Sequence, residues 1–354
     1  MKLSIISFTE NGEQLSGRIA ELLGNELEIA LYTKCRAGRN EAARSDILFV
    51  DTAPADWAKT QMREKHALLF IGACGIAVRA VAPFLTDKLK DAPVLVADEQ
   101  GKYIIPILSG HMGGANGLAR HIAEKMGAEA VITTATDIHK KFAVDLFAKR
   151  NNFYIVNKDG IAKVSAKVLA GKEITASIET GHEILGTEAG ITLVPYPPAG
   201  FVDVVVSSGA DAFDASIRLK PREYVIGLGC KKGKSEAEIE AFISQKIKAL
   251  GISTAELSAV ASIVQKRGEP GILAWCRKEG IPFLTYTAEE LQGVCGSFTE
   301  SGFVRAQVGV ANVCERAAVK ACGENGRLLL SKTAENGMTI AIARREWKVY
   351  FDGK

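Results

Sequence analysis

The sequence predicts an α/β protein with three parts: an N-terminal three-layer α/β domain with a mixed, mainly parallel sheet, a small middle α/β unit, and a C-terminal α/β/α domain. Three observations carry this. Short β-branched or leucine-rich runs alternate with helix-period patterns over the first 140 residues, the pattern shortens between 141 and 221, and a fresh strand–turn–helix unit opens at 222. At 354 residues the chain exceeds the usual size of one core, so domains are expected at 1–140, 141–221 and 222–354.

In the first part the strand candidates are 3–8, 27–32, 46–51, 66–71, 93–98, 103–108 and 129–134, and the helical patterns include 13–23, 76–85 and 114–126. Asp98-Glu99-Gln100-Gly101 falls between two strands and reads as a hairpin, which makes the sheet mixed; its carboxylates read as turn residues in water. A helix–strand–helix segment follows 141, then strands at 173–178, 191–194 and 202–206. Pro195, Pro197, Pro198, Gly200 and Pro221 bracket the exit, placing the main boundary near 210–222. The last domain opens with a strand at 224–229 and a helix from Ser235 to Leu250, where Ser235 and Glu238 form a capping box.

The stretch Ser109-Gly110-His111-Met112-Gly113-Gly114-Ala115-Asn116-Gly117 joins a strand to a helix and holds one histidine. Backbone amides at a helix start attract carboxylates or phosphates, and in open α/β sheets ligands bind at the strands' carboxyl edge. An anionic ligand is the first expectation. The competing reading is that the glycines only permit a tight turn and His111 fills a polar corner. A second glycine turn, Gly72-Ala73-Cys74-Gly75, is expected at the same edge, with Arg79 one helical turn further on as a carboxylate fork and Cys74 as a small buried residue. Thr133-Thr134-Ala135-Thr136-Asp137 ends the next strand. Asp137 either orients His111 through its second ring nitrogen or caps the following helix. His139 and Asp145 are weaker candidates, and His66, His121 and His182 read as structural.

The motif Gly227-x-Gly229-x-x-x-Gly233 imitates a dinucleotide-binding turn, but its third glycine falls one residue late and no acidic ribose partner follows. A turn that binds another anion, or merely turns, fits better.

Composition removes other classes. The net charge of +3 and a single short basic cluster, Lys231-Lys232-Gly233-Lys234, argue against nucleic acid. Seven cysteines without Cys-x-x-Cys or zinc spacing point to a reducing cytosol and no metal centre. The short N-terminal apolar run does not suit a signal peptide, and no run approaches membrane-spanning length, so a cytoplasmic, membrane-free protein is expected.

Gly75-Ile76-Ala77-Val78-Arg79-Ala80-Val81-Ala82-Pro83, Asp98-Glu99-x-Gly101, Leu108-Ser109-Gly110-His111-x-Gly113-Gly114-Ala115-Asn116 and Thr133-Thr134-Ala135-Thr136-Asp137, in this order, resemble the CbiG family, the cobalt-precorrin-5A hydrolases of anaerobic cobalamin biosynthesis. The family's C-terminal opening, Gly-x-Gly-Cys-Arg-x-Gly, is met as Gly227-Leu228-Gly229-Cys230-Lys231-Lys232-Gly233, with lysine for arginine. The middle portion is only generically similar.

The resemblance implies a corrinoid substrate that carries its own cobalt, with no further cofactor. The implied reaction opens a δ-lactone between the ring A acetate and C20 and expels C20 with its methyl as acetaldehyde. The resemblance marks the motif positions, and chemistry suggests their roles: His111 and Asp137 catalytic, and Gly72, Cys74, Gly75, Arg79, Ser109, Gly110, Gly113, Gly114, Asn116, Thr134, Gly229 and Lys231 binding substrate. In this expectation the amides of Gly113 and Gly114 stabilise an oxyanion, while Arg79 and Asn116 hold carboxylates or the lactone. A non-catalytic corrinoid carrier is the alternative, and an NADP-dependent oxidoreductase stands well behind it. Expected protein contacts are a homodimer or transient association with neighbouring pathway enzymes.

Overall fold

The computed structural model describes residues 2–36, 46–87, 91–138, 141–299 and 312–351, with the side chains of Thr136 and Asp137 outside the description. The chain is mixed α/β, as the sequence predicts. It divides into two compact units, Met1–Leu146 and Phe147–Lys354.

The first unit alternates β1 (Lys2–Ser7), α1 (Glu10–Leu23), β2 (Glu28–Thr33), β3 (Ile47–Phe49), α2 (Pro54–Arg63), β4 (Ala67–Ile71), α3 (Cys74–Val81), β5 (Val94–Ala97), β6 (Tyr103–Leu108), α4 (Ala115–Met126) and β7 (Glu129–Ala130), then α5 (Ala135–Ile138); α6 (Val144–Arg150) begins in it and ends in the second unit. The strands form one sheet in the order β3-β2-β1-β4-β5-β6-β7. A parallel strand covered on both faces must be apolar throughout, and its side chains must alternate between two cores. Leu3, Ile5, Leu69, Ile71 and Leu95 pack with Leu15, Ile19, Leu118 and Ile122 of α1 and α4. Their neighbours Ile6, Leu68, Phe70, Val94 and Val96 pack with Trp57, Ala77, Ala80 and Val81 of α2 and α3. The helix at Pro54–Arg63, with proline in its first turn, is an addition to the sequence reading.

Strand direction decides where the glycine turns lie. β4 and β5 run parallel, with Leu68 beside Val94 and Ile71 beside Ala97. β6 is antiparallel to β5, with Leu108 beside Val94 and Ile104 beside Ala97. The histidine turn after Leu108 therefore emerges where the parallel strands begin, and the turn after Ile71 where they end. The expectation of a common edge is corrected: three residue steps along a strand already separate the two turns by about 10 Å. The cause is the Asp98–Gly101 hairpin, which reverses the chain once. β7 is parallel to β6, so its carboxyl end joins the histidine turn.

The second unit contains two five-stranded sheets. The first is built from β8 (Phe153–Ile155), β9 (Ile174–Ile178), β11 (Ile191–Val194), β12 (Val202–Val206) and β13 (Ala215–Pro221), in the order β11-β9-β12-β13-β8, with β10 (Ile184–Leu185) outside it. The 210–222 stretch expected as a boundary is largely strand: β13 alternates buried and half-buried residues and pairs with β12. Pro221 sits at its last position beside the edge strand β8, where a missing N–H is tolerated.

The other sheet contains β14 (Tyr224–Cys230), β15 (Leu257–Ile263), β16 (Phe283–Tyr286), β17 (Arg327–Glu335) and β18 (Met338–Arg344), ordered β16-β15-β14-β18-β17. The helices Glu236–Ala249 and Pro270–Glu279 cover one face around Ile226, Leu228, Phe242 and Trp275. Ala317, Ala318 and Cys322, from the helix Val313–Cys322, cover the other with Val225 and Ala261. The Ser235–Glu238 capping box is present, and hydrogen bonds donated to Glu238 by Lys234 and by the Ser235 amide and hydroxyl hold its carboxyl down at about 2. After β18 the chain returns as β19 (Val349–Tyr350) to pair in parallel with β10.

The glycines of the Gly227 motif are unequal. A Cβ on Gly227 would lie 1.8 Å from the Cys314 carbonyl oxygen, whereas Gly233 has φ +85° and open space around it. Gly227→Ala is therefore expected to cost about 3 kcal/mol or more through backbone overlap, and Gly233→Ala only about 1–2 kcal/mol. Urea unfolding of the two variants checks this, and equal losses would contradict the packing role of Gly227.

Candidate functional site

The histidine turn is built by two left-handed residues, Ser109 at φ +56° and Gly114 at φ +88°. Between them the chain closes on itself. The amides of Gly114, Ala115 and Asn116 donate to the carbonyls of His111, Ser109 and Gly110 at 3.0, 3.1 and 3.0 Å. The helix start expected to greet an anion thus spends three of its donors inside the turn, and the pairing of Gly113 with Gly114 as oxyanion donors is corrected. Gly113 N–H is the amide of that pair left for the role.

Side chains lock the same loop. Ser109 Oγ donates to the Asp91 carbonyl at 2.8 Å, and Asn116 Nδ2 donates to Thr134 Oγ1 at 3.0 Å. Asn116 is 4% exposed, and a Cβ on Gly110 would stand 2.6 Å from its Oδ1. This places Asn116 as a brace between the turn and the segment that follows β7, rather than as a ligand for carboxylates. Gly113 is required by the same compactness, since its Cβ would fall 2.4 Å from that of Ser109.

His111 meets a carboxylate. Its Nδ1 lies 3.1 Å from Asp145 Oδ2, in the first turn of α6, and each side chain is 14% exposed. Burial pushes the Asp145 carboxyl up. The hydrogen bond and charge of His111, with the Leu146 amide 3.0 Å from Oδ1, more than reverse this and leave it below its ordinary value. A carboxylate on Nδ1 fixes the neutral tautomer with its lone pair on Nε2, the arrangement a general base needs. Asp145, which the sequence ranks below Asp137, is a partner of the ring. The Asp137 side chain and His139 lie outside the described residues.

The remaining candidates are elsewhere. Gly72, Cys74, Gly75 and Arg79 occupy the opposite sheet edge, where Arg79 folds back to donate to the Gly75 carbonyl at 3.1 Å. Cys74 is exposed, against the expectation of burial, because it opens α3 at the solvent end of a strand. Gly229 and Lys231 belong to the second unit. A Cβ on Gly229 would press on Thr339 Oγ1 at 2.6 Å, and Lys231 lies along Gly337. The amide of Gly233 donates to Glu269 Oε1 at 2.7 Å. Burial pushes that carboxyl up, and the Gly233 amide and Lys266 bring it below its ordinary value. A protein carboxylate thus stands where a dinucleotide phosphate would have to bind. Among the described residues no three of His, Cys, Asp and Glu gather as a metal site, and no helix is long and apolar enough to cross a membrane.

Because folding lowers the Asp145 carboxyl, its stabilising effect is present above the ordinary carboxylate value near pH 4 and fades as pH falls through the folded value. Asp145→Asn is expected to lose about 1–3 kcal/mol at neutral pH, with the gap to wild type narrowing below about pH 4. Urea unfolding across pH 2.5–7 measures this, and a constant gap would remove the ionic contribution.

Comparison with known proteins is consistent across the chain. Residues 56–137 match the family described as cobalamin synthesis G N-terminal, and residues 224–343 match cobalamin synthesis G C-terminus. A cobalt-precorrin-5A hydrolase from Salmonella typhimurium is 31% identical, covering 96% of this chain and 97% of its own. Its counterpart from Priestia megaterium is 33% identical, covering 96% and 94%. A solved structure of a cobalamin biosynthesis protein G homolog from Sulfolobus solfataricus is 22% identical, covers 98% and 97%, and has a TM-score of 0.40. With both family regions matched in order and relatives of this identity spanning nearly the whole sequence, the chain belongs to the cobalamin synthesis G family, CbiG.

Proposed function

We propose that this protein hydrolyses cobalt-precorrin-5A, opening the ring A δ-lactone and releasing C20 with its methyl as acetaldehyde to leave cobalt-precorrin-5B. Two full-length relatives carry the hydrolase name, and the His111–Asp145 pair is the observation that supplies a chemistry.

Water bound against His111 Nε2 loses a proton to it as the oxygen adds to the lactone carbonyl. The Gly113 amide stabilises the oxyanion, and general-base help of this kind contributes roughly 10²- to 10⁴-fold. Collapse breaks the acyl–oxygen bond, leaving a carboxylate and an alcohol on C20. Loss of the alcohol proton then drives cleavage of the bond between C20 and the ring in retro-aldol fashion. Acetaldehyde departs, the conjugated cobalt macrocycle takes the electron pair, and a proton from imidazolium His111 or solvent completes the ring. Water is the co-reactant, and the cobalt belongs to the substrate. Asp145 acts as a positioning residue that sets the tautomer and offsets the imidazolium charge. The reading places the reaction in the cytoplasm.

Acetaldehyde release from cobalt-precorrin-5A under anaerobic conditions, with no nucleotide added, tests the reading. Wild type is expected to turn over catalytically, His111→Ala to fall about 10²- to 10⁴-fold in kcat, and Asp145→Asn to fall less with KM nearly unchanged. Binding without acetaldehyde would make the protein a corrinoid carrier, and an unimpaired His111→Ala would remove the base.

A further inference from the structure

A cavity of about 460 Å³ lies wholly within the second unit, in the range of small-molecule sites. One wall is Gly181–Glu183, just past the end of β9. Since β9 runs parallel to β11 and β12, this wall lies at the carboxyl edge of a parallel sheet, where α/β folds bind ligands. The facing wall is the segment that leaves β18, from Arg344 to Lys348, with Asn325 and Arg327 at the start of β17.

The charges in these walls do not cancel. Four cations, Arg327, Arg344, Arg345 and Lys348, stand against Glu183, Glu223 and Glu346. Each carboxylate is already engaged: Glu223 accepts from Arg344 Nε at 2.8 Å, Glu183 pairs with Lys348 at 2.6 Å, and Glu346 accepts from Asn325 Nδ2 at 3.0 Å. Arg345 donates to neutral oxygens, Ser258 Oγ at 3.1 Å and the Glu346 carbonyl at 3.4 Å. Arg327 has no side-chain hydrogen-bond or ion-pair partner among the described residues. Among the described residues two guanidiniums therefore border the cavity outside any ion pair, in walls with one excess positive charge, and a guanidinium's fork matches a carboxylate in two parallel hydrogen bonds.

The wall beside them is stiff. His182 stacks on Trp347 with centroids 3.5 Å apart and planes 18° from parallel. Its Nδ1 donates to the Trp347 carbonyl at 3.1 Å, which fixes the ring. Among the described residues the buried indole N–H of Trp347 has no acceptor, a state that protein interiors rarely leave unanswered.

We infer that this cavity is a carboxylate-binding site that holds two carboxylates of one ligand through Arg327 and Arg345. The ligand is either a free small polycarboxylate or a tetrapyrrole presenting acetate and propionate arms. The site stands on its own geometry, and only the tetrapyrrole source rests on the hydrolase reading.

The protein titrated with citrate and with uroporphyrin III at constant ionic strength, by calorimetry and by intrinsic tryptophan fluorescence, tests this. At least one probe is expected to bind, and Arg327→Glu and Arg345→Gln are each expected to weaken it roughly 10- to 100-fold with unchanged circular dichroism. Citrate binding alone identifies a free polycarboxylate, porphyrin binding alone identifies the macrocycle's arms, and binding of both establishes carboxylate recognition common to the two. Binding of neither at millimolar concentration, or affinities unmoved by both substitutions, overturns the site. These readouts need no turnover, so a failed hydrolase assay leaves them standing, and their failure leaves the hydrolase assay standing.

Discussion

The arrangement of the N-terminal unit depends on one reversal of the chain. Asp98 accepts from the amides of Gln100 and Tyr103 at 3.1 and 2.7 Å, and Gly101 supplies φ +65° to close the turn. A residue with a side chain at Gly101 would be strained by its backbone and would press on Leu15 and Met126 at 2.8 and 2.9 Å. From this hairpin onward the strands run the other way. The helix Ala115–Met126 then links β6 to a parallel β7, and everything that follows those two strands collects at one edge. His111, Thr134 and Asp145 are brought together by that reversal, and Arg79 is kept from them.

Local signals made the elements readable, because the chemistry that writes them is local. Apolar alternation marked the strands, and Ser235 with Glu238 marked a helix start that forms as written. The hairpin was also legible, yet its consequence was not: which edge a turn reaches depends on counting reversals through pairings that no short window contains. Ala215–Pro221 was hidden for a different reason. Prolines and glycines around it resemble a linker, while its strand character comes from pairing with Val202–Val206 and from burial of every second side chain. The Asp145 contact was beyond sequence reasoning, since Asp145 sits on a short helix after β7 and only packing brings its carboxylate to a histidine 34 residues away in the chain.

Glycine motifs misled in one consistent way. The sequence offers them as amide cradles for anions, but Gly110, Gly113, Gly227 and Gly229 are small because another part of the protein occupies the space of their Cβ. The amides around them are largely consumed by nearby carbonyls or, at Gly233, by Glu269. Recognition of a polyanionic ligand then has to come from side-chain cations more than from backbone donors. Arg327 and Arg345, which no glycine pattern flags, are such cations.

The compactness of the histidine turn has a chemical consequence. An imidazole on a loose loop must be oriented during the reaction, and that ordering raises the barrier. Here the orientation is set by folding: Ser109 is tied to Asp91, Asn116 to Thr134, and the carbonyl of His111 to the Gly114 amide, while Asp145 holds the ring itself. The Asp145 carboxylate keeps its charge despite burial because His111 and Leu146 donate to it. A fixed negative charge on the far side of the ring favours the imidazolium that forms when Nε2 takes a proton. The internal hydrogen bonds that remove Gly114 as an oxyanion donor are therefore the same ones that hold His111 ready as a base.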